Sequence, residues 1–469
     1  MSMKKLSIQS VLPFVVLVAV ALAAAFIAPE ADFDPTKIAD GPQYNTSDIA
    51  WVLVSTALVF LMTPGLAFFY GGMVNRKNVI STMIKSVVAA GVVGVLWIVV
   101  GFSLSFGDSI GGFIGDPRTF LFFKGVKSHA PWPLANTIPL TLFSLFQLMF
   151  AIITPGLVVG AVAERIRFTA YVMFIILFSL LVYAPVAHWS WHPEGFLAKM
   201  GVWDFAGGTV VHITAGCAAL AGALVLKRRK SHEQKAEIPP ANVPYVLIGT
   251  GLLWFGWFGF NAGSAVGSSP LAVNAFGTTN TAAAAAGLAW MFFDVMKGKK
   301  PSVLGFCIGA VVGLVAITPG AGYVGIPQSI IIGVVGAIIS NIAVSIKQKS
   351  SLDDTLDVFP CHGIGGMVGM LLTGVFANQL IHGIKDGPEG WFYGNFSFFL
   401  TQAKAMLIVV VYSFTVSFLI FKFIDFILPI RVSAQDEEEG LDASQHDEKY
   451  VQGTLLVNTG NGIEEKQNS

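Results

Sequence analysis

Residues 49–71 read IAWVLVSTALVFLMTPGLAFFYG, an apolar run without one charged side chain. A helix of this length covers the roughly 30 Å hydrocarbon core of a bilayer. Working outward from it, similar stretches recur along nearly the whole chain. They are Met83–Phe106, Ile138–Val162, Ala170–His188, Phe205–Leu226, Val243–Phe260, Ala275–Met296, Val303–Thr318, Ile326–Ile346, Val358–Ala377 and Phe398–Ile427. The expectation is therefore an all-α membrane protein with eleven transmembrane helices. Composition agrees: the 469 residues are 54% hydrophobic and 12% charged, with a mean hydropathy of +0.70. A soluble domain carries about twice that charged fraction.

Basic residues alternate between connectors. Arg76 and Lys77 follow the first segment, Arg165 and Arg167 the third, and Lys227–Lys230 the fifth. Lys297, Lys299 and Lys300 follow the seventh, Lys347 and Lys349 the ninth, and Arg431 the last. The 261–274 and 319–325 connectors have none. By the positive-inside rule the first helix starts outside and the C-terminus is cytoplasmic. Ahead of the spans, Lys4 and Lys5 precede the apolar run Val11–Ala28, which holds an Ala23-x-Ala25 cleavage pattern. Residues 1–28 thus read as a signal peptide, with an uncleaved extra helix as the alternative. Residues 29–48 are then a periplasmic segment, 49–432 the membrane domain and 433–469 a cytoplasmic tail. A signal of this kind implies a bacterial inner membrane.

Zero net charge gives no electrostatic footprint for nucleic acid. Cys217, Cys307 and Cys361 lie in or beside apolar runs, as buried free thiols do. Glycine is abundant, 50 residues, and falls mostly inside the spans, where small residues let helix backbones approach closely. Asp204 precedes His212 in the fifth segment, and Asp357 precedes His362 in the tenth. That echo divides the chain into two inverted five-helix repeats plus a final helix, an arrangement that places a shared site near the midplane.

Ionisable groups inside spans are costly and mark function by default. Here they are mainly His212, His362 and Asp204, with Asp294, Asp357 and Glu164 near cytoplasmic ends. A lone membrane histidine commonly serves as an inter-helix hydrogen-bond partner. Two at matching places in inverted halves point instead to a shared pore lining, because imidazole donates and accepts while neutral. Aromatics crowd the outer ends: Trp189, Trp191, Phe143, Phe146, Phe150 and Phe260, with Gln147, Asn261 and Ser264 among them. Most such rings form an interfacial belt. A few converging at a mouth can hold a small cation, at about 0.5–2 kcal/mol each. Removing an ion from water costs on the order of several kcal/mol, so rings recruit a cation but do not carry it through a dry pore. The balance favours a substrate able to lose its charge.

Several motifs carry a resemblance. Residues 204–212 (DFAGGTVVH), 163–167 (AERIR), 256–264 (GWFGFNAGS) and 357–363 (DVFPCHG) resemble signatures of the ammonium transporter (Amt/Mep/Rh) family, in its bacterial Amt-type branch. Residues 70–78 (YGGMVNRKN) and 318–325 (TPGAGYVG) do so as well, and the likeness runs from about residue 48 to 450. It implies a homotrimer of eleven-helix subunits, each with its own pore and no cofactor, and a transporter, not an enzyme. On the family pattern Trp191, Phe150 and Ser264 form an external ammonium site with Gln147 nearby, and Phe150 and Phe260 gate the entrance. His212 and His362 are paired in the pore beside Trp257, and Asp204 is the acid required near the outer site. Trp191 separates the chain from the Rhesus branch. Residues 440–446 (GLDASQH) resemble the segment on which a PII-type signalling protein docks. Residues 451–469 extend beyond the likeness, and Pro360-Cys361 depart from it in detail. Three other readings follow from the residues: an ammonium sensor signalling through its tail, a neutral ammonia gas channel, and an intramembrane metalloenzyme built on His212, His362 and Cys361.

Overall fold

A computed structural model describes residues 8–26, 44–126, 131–236, 238–385, 387–450, 455–458 and 463–466. Its architecture is a bundle of long helices. Ten among the described residues are long and apolar enough to cross a membrane: Thr46–Met73, Arg76–Phe106, Leu140–Val162, Phe168–Lys199, Gly208–Leu226, Val243–Ala265, Val303–Gly320, Ile326–Lys349, Phe359–Phe376 and Phe396–Ile427. Another 27-residue helix, Pro270–Met296, sits where the sequence places the seventh apolar segment. Asn274, Thr278, Thr279 and Asn280 make it more polar than the ten, and it packs against the helices Val303–Ile317 and Ile326–Lys349.

Local chemistry sets the helix ends. Asn45 accepts hydrogen bonds from the backbone of Ser47 and Asp48 and so starts the first long helix. Asn242, Ser269, Ser302 and Asn395 do the same for later ones. Each satisfies amides that a helix start leaves unpaired. Two helices are the most enclosed, Leu140–Val162 and Gly208–Leu226, each 89% buried over its most apolar window. They form the centre of the bundle, which is where the site lies. Short antiparallel pairs join Ser109–Ile110 to Ile114–Gly115 and Leu455–Asn458 to Ile463–Lys466.

Near the N-terminus, Ile8–Phe26 is helical and contains the Ala23-x-Ala25 pattern. The rest of the segment expected to be a signal peptide, residues 1–7 and 27–28, lies outside the described residues, as do residues 29–43 of the segment that follows. At the other end the chain after the last long helix folds back on the bundle. Arg167 donates its amide to Ile430 and Val432 donates to Arg165, a short antiparallel contact. Leu441 is fully buried, and the Asp442 carboxylate accepts amides of Ile80 and Ser81 at 3.1 and 2.7 Å. Most of the unmatched stretch 451–469 is outside the described residues.

Candidate functional site

The fifth long helix is broken at its start. Residues 201–207 are not helical, and Gly207 turns through φ 111°, a left-handed conformation open to glycine. Asp204 sits inside this turn, buried. Its carboxylate accepts the amides of Gly207 (2.9 Å), Gly208 (2.6 Å), Thr209 (2.7 Å) and Val210 (3.4 Å), and the Thr209 hydroxyl as well. Those are the orphan donors of a helix N-terminus, whose dipole favours an anion. The helix then begins with the wide turn Gly208–Ile213, which carries His212.

A second break repeats this at the tenth helix. Asp354, fully buried, accepts the amides of Val358 (3.0 Å) and Phe359 (2.7 Å). A wide turn follows over Phe359–Ile364, and it carries His362. The internal partner of Asp204 is therefore Asp354, which corrects the expectation of Asp357. The overlooked signal is the interval: each acid stands eight residues before its histidine. Asp357 has another part. It takes φ 59° and pairs with Lys347 at 2.7 Å.

Just past the histidines the two broken helices touch backbone to backbone. A Cβ on Gly216 would lie 2.2 Å from the Cα of Gly363, so no larger residue fits the crossing. That contact brings the imidazoles together, with His212 Nδ1 and His362 Nδ1 3.4 Å apart. Both rings are buried, and Nε2 of His212 has no hydrogen-bond partner. A nitrogen–nitrogen contact of this kind holds one proton between two neutral rings, so each imidazole keeps its other nitrogen free of the partner ring.

From this pair a file of rings leads to one end of the bundle. The His212 ring is 5.3 Å from Trp257 and 5.9 Å from Phe260, near-parallel to both. Phe260 meets Phe150 at 4.3 Å, and Phe150 meets Trp191 edge-on at 5.8 Å. Trp191 Nε1 donates to the carbonyl of Asp204 at 3.0 Å, tying the outermost ring to the break. Trp257 Nε1 donates to Thr318 Oγ1 at 2.9 Å, which fixes the ring against the histidines. A narrow cavity of about 10 Å³, room for about one water-sized molecule, lies beside the pair, lined by His212, His362, Trp257, Phe260, Leu157 and Val211 among others. Its wall is almost wholly apolar apart from the two imidazoles.

Six of the expected site residues thus join one contact chain: Trp191, Phe150, Phe260, Trp257, His212 and His362. Ser264 joins it through Phe260, donating its hydroxyl hydrogen to that carbonyl at 2.8 Å. Gln147 lies three residues before Phe150 on the same helix, its amide oxygen buried and unpartnered. Cys361 points away and packs with Trp290, Val312 and Ala337. Among the described residues no three His, Cys, Asp or Glu side chains gather to hold a metal ion.

Sequence reasoning missed two features. Lys85 is buried in the second helix, and its ammonium donates to the backbone and hydroxyl oxygens of Ser81. At the far end of the bundle Arg229 pairs with Glu164 (2.6 Å) and Asp353 (2.8 Å), while Arg165 donates to the Asp353 carbonyl. Burial opposes the charge of Asp353, but Arg229 and Arg165 hold its carboxyl well below the usual range. For Asp357 burial wins over Lys347, and its carboxyl is pushed up to about 6. These partners come from separate connectors, which no single stretch of sequence reveals.

Long apolar helices around an aromatic file and a buried histidine pair define a multi-pass membrane protein with a small internal cavity. The chain belongs to the Ammonium Transporter Family, whose model matches residues 50–451. It is 44% identical over 419 residues to the ammonium transporter of Aquifex aeolicus, covering 89% of this chain and 96% of that one. It is 43% identical over 411 residues to the ammonium transporter of Bacillus subtilis, covering 87% and 99%. The crystal structure of Candida albicans Mep2 superposes with a TM-score of 0.78 at 37% identity, covering 84% of this chain and 88% of that one. A structure described as a sensor Amt protein gives 0.78 at 29% identity, covering 85% and 98%.

Proposed function

We propose that this chain takes ammonium from the outer face of a bacterial inner membrane and conducts ammonia inward. Ammonium is recruited over Trp191 and Phe150, with Ser264 and Gln147 supplying polar contacts. It loses its proton near Phe150, Phe260 and Asp204, and neutral ammonia passes the parting rings of Phe150 and Phe260. Beyond the gate, His212 and His362 offer hydrogen bonds in an otherwise apolar lumen beside Trp257. Potassium has no proton to lose and meets the full desolvation cost. The released proton follows by a separate route, so net transport carries charge.

The observation that supports this reading best is the unbroken ring file ending at a buried histidine nitrogen without a protein partner. The topology proposed with it is eleven spans, with Pro270–Met296 as the seventh, the N-terminus outside and the C-terminus cytoplasmic. Matching acid-to-histidine intervals support two inverted halves, and the basic connectors support the orientation. Residues 1–28 act as a signal peptide and 433–469 as a regulatory tail. The homotrimer and a PII-type partner at the cytoplasmic face rest on family likeness.

Current in proteoliposomes after an ammonium pulse tests the reading, with potassium as control. Wild type gives current with ammonium alone, and a His212→Ala/His362→Ala variant loses the current or the potassium exclusion. Equal ammonium currents with unchanged exclusion would refute the role of the pair. Internal alkalinisation without current means neutral ammonia conduction. Silence in both readouts favours the sensor reading, to which the likeness with the sensor Amt structure lends support.

A further inference from the structure

The ring file is not the only concave feature on the face where Trp191 lies. A shallow open basin of about 620 Å³ adjoins it, lined by Trp203, Gln379, Glu389, Tyr393 and Asn395 together with small residues. One carboxylate, two aromatic rings and two side-chain amides converge there, and among the described residues no lysine or arginine lines it. That combination suits a small cation bearing N–H donors: the Glu389 carboxylate and the Gln379 amide oxygen accept, while the rings tolerate its alkyl groups. The Asn395 oxygen already caps the last long helix.

The basin is built onto the mouth. Trp203 directly precedes Asp204, whose carbonyl holds Trp191 and whose carboxylate starts the His212 helix. The buried amide of Gln402 clamps the Trp203 backbone on both sides, accepting from its N–H at 3.0 Å and donating to its carbonyl at 2.7 Å. The Trp203 ring contacts Tyr323 at 4.7 Å and His382 at 4.9 Å. His382 Nε2 lies 3.2 Å from the Pro388 carbonyl, which steadies the loop that presents Glu389. Wall and mouth therefore share one stretch of fixed backbone.

We propose that this basin is a capture subsite for ammonium-class cations, ammonium itself or a small alkylammonium, from which they pass to Trp191. The proposal rests on the transport reading. Glu389 raises the local concentration of cations beside the mouth, an effect that acts on encounter and fades as salt screens it. It leaves the maximal rate, set deeper in the pore, unchanged.

The test compares ammonium and methylammonium currents in proteoliposomes for wild type, Glu389→Gln, Glu389→Asp and Asp108→Asn, at low and high ionic strength. Asp108 is an exposed acid outside the basin and serves as the control for general surface charge. The expected result is a roughly threefold rise in apparent KM for Glu389→Gln at low salt, with maximal current kept. Glu389→Asp stays near wild type, and the shift shrinks at high salt. An unchanged KM overturns the proposal, as does an equal shift in Asp108→Asn, or a fall in maximal current at constant KM. A silent wild type refutes the transport reading itself, which keeps the two failures distinct. A shift with methylammonium alone identifies the alkylated cation as the occupant; a shift with both identifies the shared ammonium group.

Discussion

The two broken helices do the same work with different surroundings. At one, Asp204 is held by peptide amides and a hydroxyl of its own turn. At the other, Asp354 accepts only two amides, and the charged groups of several connectors gather around it: Lys347 donates to its carbonyl and pairs with Asp357, and Arg165 and Arg229 gather on Asp353. Both aim a histidine at the centre after an eight-residue interval. At the first break the carboxylate is satisfied by its own turn, while neutral groups, the Gln402 amide and the Trp191 ring, hold the flanking backbone. The second is bolted to the connectors and, through them, to the returning tail, where Arg431 pairs with Glu437 and bonds the Leu226 carbonyl. The two breaks thus share the geometry of an acid-capped turn while the charges around them differ.

The largest effect expected from breaking this comparison is at Asp204. Asp204→Ala strands four buried amides, on the order of 3–6 kcal/mol of stability. Ammonium current should fall at least tenfold, read in proteoliposomes beside a thermal melt. A variant that melts like wild type yet has lost current would assign Asp204 to the pathway and not to the fold.

Asp354→Asn ranks next. The amide oxygen still accepts one donor, but the ionic neighbours lose their counter-charge, an expected loss of about 1–3 kcal/mol. If its melting shift equals that of Asp204→Asn, the two breaks are energetically alike and the contrast between them fails.

The smallest effect is a pH dependence at Asp357. Its folded carboxyl, pushed up to about 6 from an ordinary 3.8, holds its proton more tightly than in the unfolded chain. Stability from this group is then present below about pH 4 and lost as pH rises through 6. The stability of wild type minus that of Asp357→Asn should fall by up to about 3 kcal/mol between pH 4 and 7. Denaturation of detergent-solubilised protein across that range checks it, and a difference that stays flat, or grows with pH, overturns the predicted sign.

Much of this is legible in the sequence because hydrocarbon leaves so little choice. Runs such as Ile49–Gly71 must be helical, since each backbone amide needs a partner where water is absent. Intramembrane histidines are rare enough to stand out. Helix ends are less legible. Hydropathy places the start of the second span at Met83, whereas its helix begins at Val79 with Lys85 buried inside it. It starts the fifth at Phe205, whereas residues before Gly208 are occupied by the Asp204 turn. Hydropathy registers apolar length, and it is blind to a carboxylate that replaces the missing first turn.

By itself, then, the sequence determined that the chain crosses a membrane many times and that His212 and His362 were the residues to watch, because burial in lipid penalises every polar group without a purpose. Trp191, Phe150 and Phe260 stood out through the family resemblance. Only the tertiary structure decided that those residues form one file, that Asp354 mirrors Asp204, and that Glu164, Arg229 and Asp353 lock separate connectors together. Ring stacking and ion pairing depend on where helices cross. The crossing at Gly216 and Gly363, between residues far apart in the chain, is set by the packing of the whole bundle.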